Sequence, residues 1–206
     1  ISQKLNDLTS QLKPIVLLTQ TFASPSTTAL VNEFLAKFPS AKHLTYDAIS
    51  QSAALDAFEQ RYGKRAMADY DFSKADLIVS FDADFLGDWQ GGSYAKSYVA
   101  NRVPKQGQMS HHVQLESNMT LTGANADKRL PLTAAEIKRA LAALYQVLNG
   151  ASITDSDTSI SRHVKAMAQK LMAEGSKSVV VCGIDDVNAQ LLTLAINESL
   201  QSQAFD

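Results

Sequence analysis

The chain has 206 residues, of which 45% are hydrophobic and 19% charged. That is the composition of an ordinary globular domain, long enough to bury one sizeable core. Lys+Arg 19 against Asp+Glu 21 gives a formal net charge of −2, which argues against a protein whose main work is gripping nucleic acid. One cysteine excludes an internal disulfide, an iron–sulfur cluster held by this chain alone and a cysteine-based structural zinc.

Ile15-Val16-Leu17-Leu18 follows Pro14 and reads as a short buried strand. Ser24 before Pro25 is an N-cap followed by proline in the first helical turn. Leu30, Val31, Phe34, Leu35 and Phe38 then recur at helical spacing until Pro39. Ala41–Tyr46 is a weaker strand. A helix is expected over Ser50–Tyr62, with Gly63 just past its end. Ala75–Phe81 is a strong apolar strand. Gly91-Gly92 leads to a helix-like stretch, Ser93–Asn101, with Tyr94 and Tyr98 on one face.

Val113-Gln114-Leu115-Glu116 alternates as a strand does, and Thr120–Leu132 reads as a long polar connection. Thr133 with Glu136 forms a capping box ahead of a helix that ends at Asn149-Gly150. Residues 151–159 have the composition of a surface loop or linker. Helix Ile160–Ala173, strand Ser178–Gly183 and helix Asp185–Leu200 complete the chain.

Short apolar strands alternating with amphipathic helices predict an α/β fold. Its form is a doubly wound, mainly parallel sheet in a Rossmann-like three-layer sandwich, with residues 1–206 as a single domain. Such folds bind ligands beyond the carboxyl ends of the strands. Thr19–Ser24, Asp82–Trp89, Glu116–Thr122 and Gly183–Asp186 are the segments expected at that rim. No G-x-G-x-x-G follows the first strand and no G-x-x-x-x-G-K-[ST] occurs anywhere, so neither a standard dinucleotide site nor a P-loop is expected.

Asp82-x-Asp84 admits two readings: a divalent-cation clamp like the D-x-D of nucleotide-sugar transferases, or solvated and capping carboxylates at a sheet rim. His111 and His112 point to opposite faces of any strand, an arrangement that does not favour chelation. Arg102 and Lys105 beside Tyr98 read as a solvated edge or a small anion patch. Trp89 reads as packing at a turn or a pocket lid, and Cys182 as a small buried side chain.

Two stretches, "YDFSKADLIVSFDADFLGDW" and "HVQLESNMTLTGANADKRLPLTAAEIKRALAALYQVL", resemble the molybdopterin oxidoreductases of the dimethyl sulfoxide reductase family. They are similar in particular to the molybdopterin-oxidoreductase-like iron–sulfur subunit of alternative complex III. Thr122, Ala126-Asp127, Leu130-Pro131 and the helix from Thr133 fall in that family's order. Two motifs depart from it. Glu116-Ser117-Asn118 stands where cofactor-bearing members have Asp-Pro-Arg, and Leu132-Thr133-Ala134-Ala135-Glu136 where they have Arg-Pro-Gly-Thr-Asp.

The resemblance implies a scaffold that has lost its pterin, within a respiratory quinol:electron-acceptor oxidoreductase. Molybdopterin and iron–sulfur clusters belong to the parent family, and no cofactor is expected in this fragment. Partners would be other domains and subunits of a membrane respiratory complex, on the periplasmic side of a bacterial inner membrane, without direct membrane insertion or nucleic acid. No residue is expected to be catalytic or to ligate metal. Asp82, Asp84, Glu116, Ser117, Asn118 and Thr122 are expected to line the rim of a vestigial pocket. The alternatives are a cofactor-binding fragment of an active molybdopterin oxidoreductase and a D-x-D metal-dependent nucleotide-sugar transferase.

Overall fold

The computed structural model describes residues 1–11, 13–20, 22, 24–104, 107–152 and 159–206. It divides into two compact units, Ile1–Ser50 and Gln51–Asp206.

The first unit runs α1 (Ser2–Ser10), β1 (Ile15–Thr19), α2 (Pro25–Lys37) and β2 (Ala41–Thr45). Strand β1 pairs in parallel with β2, from Ile15 opposite Ala41 to Thr19 opposite Thr45. Helix α2 begins where the sequence predicts. Pro25 opens it, and the Ser24 hydroxyl accepts the Thr27 N–H at 3.4 Å. Ile15, Val31 and Phe38 are buried, whereas Val16, Leu18 and Leu44 are exposed. Leu18 stands opposite Leu44 and two residues from Val16, so these three share one sheet face.

The second unit holds α3 (Ser52–Tyr62), β3 (Leu77–Phe81), α4 (Ala95–Ala100), β4 (His111–Glu116), α5 (Leu121–Ala124) and β5 (Lys128–Pro131). It continues with α6 (Ala134–Leu148), α7 (Ser159–Glu174), β6 (Ser178–Cys182) and α8 (Val187–Leu200). Its sheet has the order β5-β4-β3-β6, and every pair is parallel. This is the Rossmann-like, doubly wound α/β arrangement. The chain steps from β3 through β4 to β5, then returns to the far side of β3 for β6. Right-handed crossovers therefore place α4 on one face and α6 with α7 on the other. The point where the winding reverses lies between β3 and β6.

The two faces bury different chemistry. On one, Val79, Phe81, Val113 and Leu115 pack against Ile137, Leu141, Leu144, Val164 and Leu171. On the other, Ile78, Val179 and Val181 meet an aromatic group that includes Phe72, Phe85, Trp89 and Tyr98. Each such side chain contributes about 1.5–3 kcal/mol. The outer edge of β6 is closed by α8. The Asn197 amide accepts the Val180 N–H at 2.8 Å and donates to the Val180 carbonyl at 2.7 Å, standing in for a missing neighbour strand.

Several boundaries depart from the sequence reading. The connection 120–132 contains α5 and β5. Strand β5 has a Lys-Arg start and a proline end, which an edge strand tolerates and a periodicity search passes over. Helix α4 is shorter than expected because Gln90 to Ser93 all have positive φ, between 52° and 86°. Ser159 of the expected linker opens α7, and 153–158 lie outside the described residues. No helix among the described residues is long and apolar enough to cross a membrane.

Candidate functional site

The carboxyl ends of β3 and β6 meet without a gap. Asp82, the first residue beyond β3, is left-handed with φ 59°. Its N–H donates to the Leu115 carbonyl at 2.8 Å, and the Gly183 N–H donates to the Phe81 carbonyl at 2.8 Å. Gly183 lies so close to the Asp82–Ala83 backbone that a Cβ there would overlap it. Only glycine permits this approach. Trp89 Nε1 donates to the Cys182 carbonyl at 3.3 Å. Gln190 Nε2 reaches the same oxygen at 3.0 Å and the Ile184 carbonyl at 2.9 Å. The crevice where doubly wound folds place ligands is thus filled by the chain's own backbone, an indole and an amide.

On the β4 side the rim is closed by side chains. Asp84 Oδ1 accepts the Thr122 N–H at 3.1 Å and the Thr122 hydroxyl at 2.7 Å. The Thr122 oxygen in turn accepts the Leu86 N–H at 2.9 Å. Glu116 is fully buried. Its carboxylate pairs with Arg129 Nε and accepts the Thr120 hydroxyl at 2.6 Å, the Thr120 N–H at 3.3 Å and the Gln114 amide at 3.3 Å. Gly123 is flush against that carboxylate, and a Cβ there would strike it.

Glu116 ends a buried polar column on β4. His112, Gln114 and Glu116 share one face, and none has exposed surface. Gln114 Nε2 donates to Glu116 and also, at 3.4 Å, to the Ala83 carbonyl. Its Oε1 therefore faces His112 Nε2, 3.2 Å away, and only an N–H can sit opposite that oxygen. In the neutral ring this leaves His112 Nδ1 as an acceptor 3.2 Å from the Tyr98 hydroxyl, which also lies 3.0 Å from the Asn125 carbonyl. The acceptor-only carboxylate of Glu116 thus orients the Gln114 amide and, through it, puts the His112 proton on Nε2, while the single Tyr98 proton is shared between Nδ1 and the Asn125 carbonyl. Burial pulls the His112 pKa down to about 4, although its bond to Gln114 opposes the shift.

The expected rim residues are accounted for one by one. Asp84 and Thr122 bond directly, and Glu116 lies beneath them under α5's Thr120 cap. Asp82 is half-buried, and its carboxyl is raised by that burial. The Ser117 N–H opposes the rise and the Glu116 charge adds to it. Ser117 and Asn118 are exposed. Asp84 turns to Thr122, so it offers no clamp with Asp82. Among the described residues no group of three or more His, Cys, Asp or Glu gathers to hold a metal.

Trp89 is packing, Cys182 is buried, and burial pushes its thiol up to about 12. Arg102 belongs neither to an anion patch nor to a solvated edge. It bonds Asp127 at 2.5 and 3.0 Å and the Ser110 carbonyl at 2.6 Å, with its guanidinium 5.5 Å from the Tyr98 ring. Lys105 lies outside the described residues. The sequence reading placed Gly183 in a rim segment without giving it a role, and did not single out Gln114, Gln190 or Arg129. A glycine directly after the apolar strand Ser178–Cys182 was the available signal for Gly183; the others carried none.

No family model and no curated protein sequence matches the chain. Among solved structures it is similar to a chain of the formyltransferase/hydrolase complex (FhcABCD) from Methylorubrum extorquens, determined in complex with methylofuran. The TM-score is 0.61 at 16% sequence identity, over 97% of this chain and 54% of that one. The chain therefore spans about half the length of its solved counterpart, and the likeness is one of fold.

That likeness overturns the resemblance to molybdopterin oxidoreductases, because a solved protein that shares this layout is a formyltransferase/hydrolase complex. The alternative complex III parentage and the quinol-oxidising role fall with it. So do the cofactor-binding fragment and the D-x-D transferase, neither of which gains support. The matched strings have a plain structural origin. Ala75-Asp76 leads into β3, Leu130-Pro131 ends β5, and Thr133 caps α6. They mark element boundaries in a doubly wound sheet.

Proposed function

We propose that the chain is a structural, non-catalytic α/β part of a larger subunit in a multi-subunit assembly of the formyltransferase/hydrolase kind. The observation that carries this reading is the filled crevice. Gly183 abuts the Asp82 carbonyl, Trp89 and Gln190 occupy the end of β6, and Asp84 and Glu116 are engaged by Thr122, Thr120 and Arg129. Carboxylates held this way position backbone; they are not presented to a substrate. The fold likeness to a chain of such a complex supports the class of assembly. The exposed apolar face of Val16, Leu18 and Leu44 supports the presence of partners, because parallel strands are ordinarily covered on both faces.

The test uses the full-length protein, tagged and purified from its own cells with whatever it binds. Formyltransferase activity is measured per assembled complex for the wild type, Asp82→Asn and Asp84→Asn. The expected turnover numbers agree within about twofold, since neither carboxylate meets reacting atoms. A loss of roughly a hundredfold or more with the assembly intact would mean that the rim performs chemistry.

A further inference from the structure

The opposite face of the sheet carries a separate feature. Strand β5 directs Lys128 and Leu130 toward α7, because they pair with Val113 and Leu115 of the core face. Helix α7 answers with Ile160, His163, Val164, Met167 and Lys170, which recur at helical spacing along one side. Between them lies a cleft of about 150 Å³ lined by Leu115, Leu130, Leu132, Ala140, Val164 and Met167. A second hollow of about 40 Å³ continues it past His163 to Lys128, Lys170 and His111. The first end is apolar, and the second is walled by the stems of Lys128 and Lys170.

We propose that this cleft binds a small organic carboxylate with an apolar body of roughly six carbons, the body among Leu115, Leu130 and Val164 and the carboxylate at Lys128 and Lys170. Size sets the body, because an apolar cavity of about 150 Å³ is large enough for a benzene ring. Charge sets the head. Lys128 Nζ lies 3.0 Å from His163 Nδ1, which leaves the neutral ring accepting from the ammonium. Burial lowers the pKa of both His111 and His163, and Lys170 depresses the first and Lys128 the second as next cause. Burial opposes a charge of either sign, so the attraction for an anion comes from Lys128 and Lys170 alone. The acid facing it is Asp127, 3.7 Å from His111, and Arg102 already engages that carboxylate. The inference is independent of the proposed assembly role, since it concerns the sheet face away from the polar column.

The experiment is ¹⁵N NMR titration of the chain with hexanoate, hexanol and inorganic phosphate. Hexanoate should shift the amides of Leu130, Val164 and Met167. Replacing both cations, Lys128→Met with Lys170→Met, should weaken hexanoate roughly tenfold and leave hexanol within about twofold. Ala140→Leu fills the cleft and should abolish binding of both. Ile160→Trp, at the mouth, serves the same purpose if the buried substitution prevents folding. The proposal is overturned if the folded protein shows no shifts at about 10 mM hexanoate, if hexanol binds as tightly as hexanoate, or if phosphate alone binds as tightly. Retained binding in a folded, filled variant also overturns it.

Discussion

Glu116→Gln tests the buried rim at its most connected point. Four donors converge on the Glu116 carboxylate: Arg129 Nε, the Thr120 N–H, the Thr120 hydroxyl and the Gln114 amide. Glutamine keeps the shape but has one oxygen, and its NH₂ turns donors toward donors. At least two of the four groups lose their acceptor, and Arg129 keeps a charge without its partner. Unsatisfied buried donors cost about 1–3 kcal/mol each, and a broken buried pair about 3–5, so the expected loss is about 3 kcal/mol. For a unit of this size that corresponds to a fall in Tm of roughly 6–12 °C. The chain's one tryptophan, Trp89, sits buried on the Cys182 carbonyl and reports the transition by fluorescence. A double variant with Arg129→Met should lose less than the sum of the two single variants, because both remove the same interaction. A change in Tm under about 2 °C for Glu116→Gln would refute the buried connectivity.

Acid should destabilise the fold through His112. Its pKa is about 4 in the folded protein against 6.5 ordinarily, so between those values the unfolded chain binds more protons. Stability is therefore complete above pH 6.5 and falls as pH drops toward 4, by about 3 kcal/mol from this group. Urea midpoints across that range should slope less steeply in His112→Phe; parallel slopes would contradict the assignment. Gly183→Ala forces a methyl into the Asp82 backbone and should cost about 1–3 kcal/mol, read as a lower urea midpoint with an unchanged m-value. An unchanged midpoint would mean that β3 and β6 do not meet closely. Leu18→Glu with Leu44→Glu should release partner chains during purification of the tagged full-length protein while leaving the Trp89 transition unchanged. Retention of every partner would remove that face from the assembly surface.

The strands that lie deepest were the easiest to read. Leu77–Phe81 and Ser178–Cys182 are buried along their whole length, and a continuous apolar run announces that. The capping box at Thr133 and the Ser24-Pro25 start needed only local chemistry. Strand β5 did not show, because four residues with two cations and a proline carry no period. The site was legible as a location and not as a condition. Asp82, Asp84, Glu116 and Thr122 were placed at the rim from strand ends alone. Whether they face a ligand or one another depends on Gly183, Gln190 and Arg129, which approach from distant parts of the chain. Alternation misled in one respect. His112, Gln114 and Glu116 look like the wet side of a strand, yet all three are buried, and hydrogen bonds among themselves and to Tyr98, Thr120 and Arg129 make that tolerable.

Native mass spectrometry of the tagged full-length protein, captured from its own cells, measures directly whether it works as part of an assembly. The predicted result is a hetero-oligomer of fixed stoichiometry. A monomer or homo-oligomer without other polypeptides contradicts it.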